Sequence, residues 1–190
     1  MLNLKERRRH ILTNIFENKI YQKLIDNRII FLNGEIDDES ASMVVAKLLY
    51  LDSISHEDIV IYINSPGGSV TSGLMIYDTI KYLKSDVSTI GIGLSASMAS
   101  ILLMSGTHGK RKILPHGKVM LHEISTTTGG KISDILVAAT EAKKTNEILS
   151  KIISETSKLN YEQIKDNLNK DLWLDSNKAL EYGIVDKVIC

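Results

Sequence analysis

The stretch from Asp58 to Lys84 admits few folds. Its first half, DIVIYINS, is a run rich in Ile and Val, and it ends in Pro66-Gly67-Gly68. Such a run reads as a buried β-strand. The second half, SVTSGLMIYDTIKYLK, brings Val70, Leu74, Ile76 or Tyr77, and Ile80 round at roughly helical spacing. Pro-Gly-Gly is then a strand-to-helix turn, where glycine lets the backbone take a positive φ or lets another group approach its N–H. A tight turn is the ordinary role of such a pair. A backbone donor presented at the start of a helix is the other, and local sequence does not choose between them.

The same alternation runs along the chain. Strand patterns at 28–36, 58–65, 87–94, 110–115 and 118–124 are interleaved with helix patterns at 17–26, 39–52, 70–84, 97–106, 133–157, 161–168 and 176–182. This order favours an α/β domain with a largely parallel sheet, whose ligand crevice lies at the carboxyl ends of the strands. LPHGK (114–118) reads as a hairpin turn between the fourth and fifth strands. Ser133 and Asp134 are placed to cap the longest helix, and Asp175 or Ser176 the last. The 190 residues suit one domain, assigned to 17–190 behind an N-terminal arm at 1–16, which is basic and reads as an arm or a short removable leader.

Composition enters by what it excludes. Lys+Arg and Asp+Glu both number 23, so the basic excess of a general nucleic-acid binder is missing. The apolar runs are too short to cross a membrane. The only cysteine is Cys190, which leaves no internal disulfide or cysteine metal cluster and suits a reducing compartment such as the cytoplasm. The chain has no G-x-x-x-x-G-K-[ST] loop, no H-E-x-x-H, and no G-x-G-x-x-G opening a helix.

GIGLSASMAS (91–100) is the second informative stretch, with Ser95, Ser97 and Ser100 as candidate nucleophiles. Gly93 to Ser97 is one glycine short of the G-x-S-x-G elbow that would have named Ser95. Ser97 sits better at the helix start, where Met98 follows with one of the unpaired amides of the first turn. The common role of a serine there is an N-cap. A serine nucleophile needs a base. His10, His56, His108 and His116 fall in the arm or in loops, whereas His122 ends the alternating strand KVMLHEI and would be held rigidly, as a base must be. No Asp or Glu lies between Ser97 and His122, which rules out the α/β-hydrolase order. Asp134, Asp166, Asp171, Asp175 and Asp186 all remain as acids. Asp171 has Trp173 and Leu174 beside it to tuck it against the core, while Asp134 and Asp175 look like helix caps.

Taken in order and spacing, INSPGGSVTSGLMIYDTI, GLSASMAS, KVMLHE and DLWLDSNKALEYGIVD resemble the proteolytic subunits of the ATP-dependent Clp protease (ClpP) family, from about Arg28 to Ile189. The resemblance implies a ClpP/crotonase-like α/β fold, a spiral of β-β-α units with a protruding handle formed by helix 133–157 and a short strand in TTTGGKI. It implies Ser97 as nucleophile, His122 as general base and Asp171 as acid. Gly68 and Met98 would give the two N–H groups of an oxyanion hole, with Asn64, Pro66 and Gly67 shaping the donor loop. It also implies a serine endopeptidase acting on unfolded polypeptides inside seven-membered rings, stacked in pairs or mixed with a paralogue. A hexameric AAA+ unfoldase would feed them and use the ATP, this chain needing no cofactor or metal.

Three features depart from the family pattern. Glu123-Ile124 follows the histidine where Gln-Pro is usual, Asn169-Lys170 stands where an Asp-Arg pair commonly bridges rings, and the first residues do not match the axial segment. They keep in view a regulatory subunit working only in a mixed assembly. A crotonase-type acyl-CoA enzyme is the other alternative, but it would need no Ser–His pair.

Overall fold

The computed structural model describes residues 19–125, 129–160, 162–164 and 170–190. The arm assigned to 1–16, His10, Asp166 and most of the helix expected at 161–168 lie outside those residues. After a helical segment at 19–26, the elements are β1 (Ile29–Asn33), α1 (Asp38–Ile54), β2 (Ile59–Ser65), α2 (Val70–Tyr82), β3 (Val87–Ala96), α3 (Met98–Met104), β4 (Arg111–Ile113), β5 (Lys118–Leu121), α4 (Ile132–Thr156), β6 (Leu172–Asp175), α5 (Ser176–Glu181) and β7 (Lys187–Val188).

The parallel sheet expected from the alternation is present, in the order β1-β2-β3-β4-β7. Ile30, Leu32, Ile59, Ile61 and Ile63 face α1, α2 and α3 to form the core. Every residue of α3 is buried, as a helix apolar on all sides must be. Local capping follows the sequence at α1, where Asp37 and Ser40 exchange the two bonds of a capping box, and at α5, where Asp175 accepts from the Lys178 N–H.

The middle of the sheet departs from expectation. The Pro115-His116-Gly117 segment does turn, with the Gly117 N–H on the Leu114 carbonyl at 2.9 Å, but it does not make a hairpin. β4 and β5 both run parallel to β3, β4 along Thr89–Gly91 and β5 along Leu94–Ala96. The cause lies in β3, whose pairing with β2 jumps from Ile63↔Gly91 to Ser65↔Ser95. Gly93 takes φ +85° at this bulge, and Asn64 Oδ1 accepts the Leu94 N–H at 3.1 Å. A bulge bends a strand and re-aims the residues beyond it. One edge of β3 therefore offers two successive landing sites, and the chain cranks from the first to the second.

Two strands escaped the sequence reading, β6 and β7, each too short to show a period. α4 begins at Ile132 with Lys131 as its uncapped N-cap. Ser133 and Asp134 thus lie inside the first turn, where the carboxylate complements the helix dipole. Of the expected handle strand, 126–128 lie outside the described residues, and 129–131 form a bend that Gly130 enters at φ +124°.

Candidate active site

β3 gives way to α3 through a single residue, Ser97, at φ +53° and ψ −125°. A non-glycine residue held there costs roughly 1–3 kcal/mol and persists only where its surroundings over-determine it. Here they do. The Ser97 N–H extends the ladder to β5 by donating to the Met120 carbonyl at 2.9 Å, and the Ser97 carbonyl accepts from both the N–H and the hydroxyl of Ser100, at 3.0 and 2.6 Å. The Ser97 side chain makes no capping bond. Its Oγ instead lies 2.7 Å from His122 Nε2. Ser95 and Ala99, two residues either side, are the small neighbours that a sharp strand-to-helix elbow needs. Centring the elbow pattern on Ser97 would have revealed this.

His122 follows directly on β5. Its partner strand β6 pairs antiparallel through Leu121↔Leu172, so the next opposed pair is His122 and Asp171. Asp171 Oδ1 stands 3.7 Å from His122 Nδ1, and the two side chains are 60% and 29% exposed. That is ion-pair distance but longer than a hydrogen bond. Register, not burial, brings the acid here: Leu174 is buried, but Trp173 is 53% exposed and does not tuck Asp171 inward.

Several other candidates are engaged elsewhere. His56 pairs with Asp52, and Asp175 caps α5. Asp186 receives the buried Arg111 guanidinium and the N–H groups of Gly109 and Arg111. Burial opposes ionisation of Asp186, but these donors outweigh it and hold the carboxyl below the ordinary aspartate value. Ser95 is buried, away from the histidine, and its hydroxyl has no partner among the described residues.

The Pro66-Gly67-Gly68 turn lies on this elbow. A Cβ at Gly67 would sit 2.7 Å from Ser97 Cβ and 3.1 Å from Met98 N. Ile36 clasps the turn from the far side, donating to the Gly67 carbonyl at 2.8 Å and accepting the Ser69 N–H at 2.7 Å. In such a bridge the intervening residue aims its own N–H the other way, and Gly68 N–H, like Met98 N–H, has no protein acceptor among the described residues. Asn64 serves the β3 bulge and not the turn. Ser65 braces the turn instead, its hydroxyl accepting from Gly67 N–H at 3.1 Å.

Gly68, Ser97, Met98 and His122 line one side of a cavity of about 230 Å³, whose other wall includes Val70, Ile101, Leu149 and Ile153. Asn146 of α4 also lines the cavity and bonds to the segment after the histidine through Ile124 N–H and Glu123. A hydroxyl against an imidazole, two free amide donors beside it and an apolar wall can attack an acyl carbon and hold the resulting oxyanion.

Residues 14–190 match the family model described as Clp protease. The chain is 44% identical over 177 residues to an ATP-dependent Clp protease proteolytic subunit of Bacteroides fragilis, covering 93% of this chain and 86% of that one. It is 45% identical over 177 residues to the protein of that name from Porphyromonas gingivalis, covering 93% and 80%.

Proposed function

The chain belongs to the Clp protease family, and on that footing we propose that it is a proteolytic subunit cutting peptide bonds by acyl-enzyme chemistry at Ser97. The observation that carries this is the 2.7 Å contact between Ser97 Oγ and His122 Nε2 at a strained turn. Ser97 Oγ attacks the scissile carbonyl carbon while its proton passes to His122 Nε2. The carbonyl oxygen becomes an oxyanion and accepts hydrogen bonds from Gly68 and Met98 N–H. Collapse breaks the C–N bond, His122 returns the proton to the departing amine, and an ester to Ser97 remains. Water, deprotonated by His122, adds to the ester carbon to give a second oxyanion; its collapse breaks the C–Oγ bond, His122 returns the proton to Ser97 Oγ, and the carboxylic acid leaves. Asp171 fixes the imidazole tautomer and stabilises the imidazolium, a role that requires the 3.7 Å separation to shorten to about 2.8 Å.

This chemistry draws on no cofactor of the chain itself. The relatives' name, proteolytic subunit of an ATP-dependent protease, supports an ATP-using partner and an assembly of subunits; beyond that name, the proposed partner is an unfoldase, the substrates unfolded polypeptides, and the working form a cytoplasmic assembly of rings. No helix among the described residues is long and apolar enough to cross a membrane. The long His122–Asp171 distance favours a second reading, a subunit that reaches full activity only in a mixed assembly.

The test is labelling with a fluorophosphonate, with peptide mapping of the adduct and native mass on the same sample. The adduct is expected on Ser97, and Ser97→Ala should lose both labelling and peptidase turnover. Without the nucleophile, only about 10³–10⁴-fold catalysis over water remains. An adduct on Ser95 or Ser100 overturns the assignment. Labelling without turnover until a paralogue is added selects the second reading.

A further inference from the structure

The two proposed oxyanion donors belong to different helices: Gly68 lies just before α2, and Met98 opens α3. Their separation is therefore set by how the two helices pack. One tight fit in that packing is at Gly73, buried in the first turns of α2. A Cβ built there would overlap Met98 Cγ and lie 2.9 Å from both its Sδ and its Cε.

Two observations give this notch meaning. First, Gly73, unlike Gly67 and Gly68, has no positive φ. Glycine in a helix interior is less stable than alanine by roughly 0.5–1 kcal/mol, so the backbone gains nothing from it and the demand is for space. Second, the wall carrying the notch is fixed. Gly73 N–H donates to Ser69 O at 3.0 Å, and the Ser72 hydroxyl ties the same turn to Asp38 of α1 at 2.6 Å. Met98, 2% exposed, seats its side chain in that notch. Cγ is only two bonds from its Cα and is no flexible tip; a χ1 rotation that moved it would need other room in the buried core, so the strain of displacing it falls on the Met98 backbone.

We infer that Gly73 is a positioning residue: by admitting the Met98 side chain it fixes the Met98 N–H against the Gly68 N–H. The inference rests on the oxyanion reading of those two amides. The interlock acts first on the donors, and the Leu149 and Ile153 part of the apolar wall lies on α4, outside it, so it predicts loss chiefly in kcat with a smaller change in KM.

The experiment compares the full-length protein with Gly73→Ala, Met98→Ala, the double variant and Ser97→Ala, reading kcat and KM on a fluorogenic peptide, the rate of fluorophosphonate labelling, Tm and native mass. Gly73→Ala is expected to lower kcat and labelling about 10- to 100-fold, short of or equal to the loss of one full donor. Met98→Ala removes Cγ, Sδ and Cε together, so the double variant should turn over faster than Gly73→Ala, a non-additivity that contacting residues show. A folded, assembled Gly73→Ala with full kcat overturns the inference, as do purely additive losses. Where Gly73→Ala alone does not fold, the double variant decides: recovery of soluble, active protein supports the interlock and failure to recover overturns it. Ser97→Ala separates the two readings. If it is inert while Gly73→Ala is fully active, only the interlock falls; if Ser97→Ala still turns over, the reading beneath it falls as well.

Discussion

Ser95 and Ser97 are alternate residues of one chain segment, yet their hydroxyls have opposite fates. The bulge and the positive φ of Ser97 turn one towards His122, while the other stays in the sheet against the core. A buried hydroxyl without a partner carries an uncompensated desolvation cost of about 1–3 kcal/mol. Ser95→Ala should therefore stabilise the protein by about 1 kcal/mol, raising Tm by roughly 2–4 °C for a chain of this size, with turnover retained. A lowered Tm would mean that the hydroxyl is hydrogen-bonded in solution. The sequence favours Ser97 over Ser95 and Ser100 by its place at the helix start, but residue spacing does not tell a nucleophile from an N-cap there. What separates them is a backbone angle, and that angle depends on Met120 and Ser100.

Among the elements, what was legible had a period. The strand–turn–helix at 58–84 and the placing of His122 on an alternating strand both followed from residue spacing. The crank between β4 and β5 did not, since Pro115-His116-Gly117 would suit a hairpin equally well. The choice of acid was also closed to spacing, because it depends on the β5–β6 register, and LWLD is too short to announce a strand. The fate of Asp186 shows how a rival acid is taken out of contention. Arg111 is almost fully buried, so Asp186→Asn leaves its charge uncompensated and should cost about 3–5 kcal/mol. The carboxyl is held below its ordinary value, so its contribution is full above the unfolded value of 3.8 and is lost as pH falls through the folded one. Urea unfolding should show a wide gap between wild type and Asp186→Asn at neutral pH that narrows as pH falls below 3.8 and through the lowered folded value. A gap unchanged in acid would contradict the pairing.

Over the whole molecule, α4 stands out. Its buried residues are Ser150, Ile152 and Ile153, all near its end, while Ile132, Leu136 and Val137 are 62–78% exposed near its start. Exposed apolar side chains grouped in this way call for a partner, in keeping with the proposed rings. The Asn169-Lys170 pair precedes Asp171 where relatives of this family commonly carry Asp-Arg. Lysine does not reproduce the planar fork of arginine, and even about 1 kcal/mol lost at each of many ring contacts shifts an assembly. We predict that the protein alone favours single rings or turns over slowly. Asn169→Asp with Lys170→Arg should move the mass towards fourteen subunits and raise turnover. Light scattering that finds the unaltered protein a stable, fully active fourteen-subunit particle would refute this.

The pairing of β5 with β6 also imposes an order of events during synthesis. The ribosome delivers the Gly68 turn, then Ser97, then His122, and the chain can begin to fold as it emerges. Asp171 arrives only after the whole of α4 has been made, on a strand that must return to the sheet and zip antiparallel onto β5. Until that strand docks, Asp171 does not stand beside His122. A nascent or truncated chain thus carries the proposed serine and histidine without the proposed acid, and the triad can close only once β6 is in place.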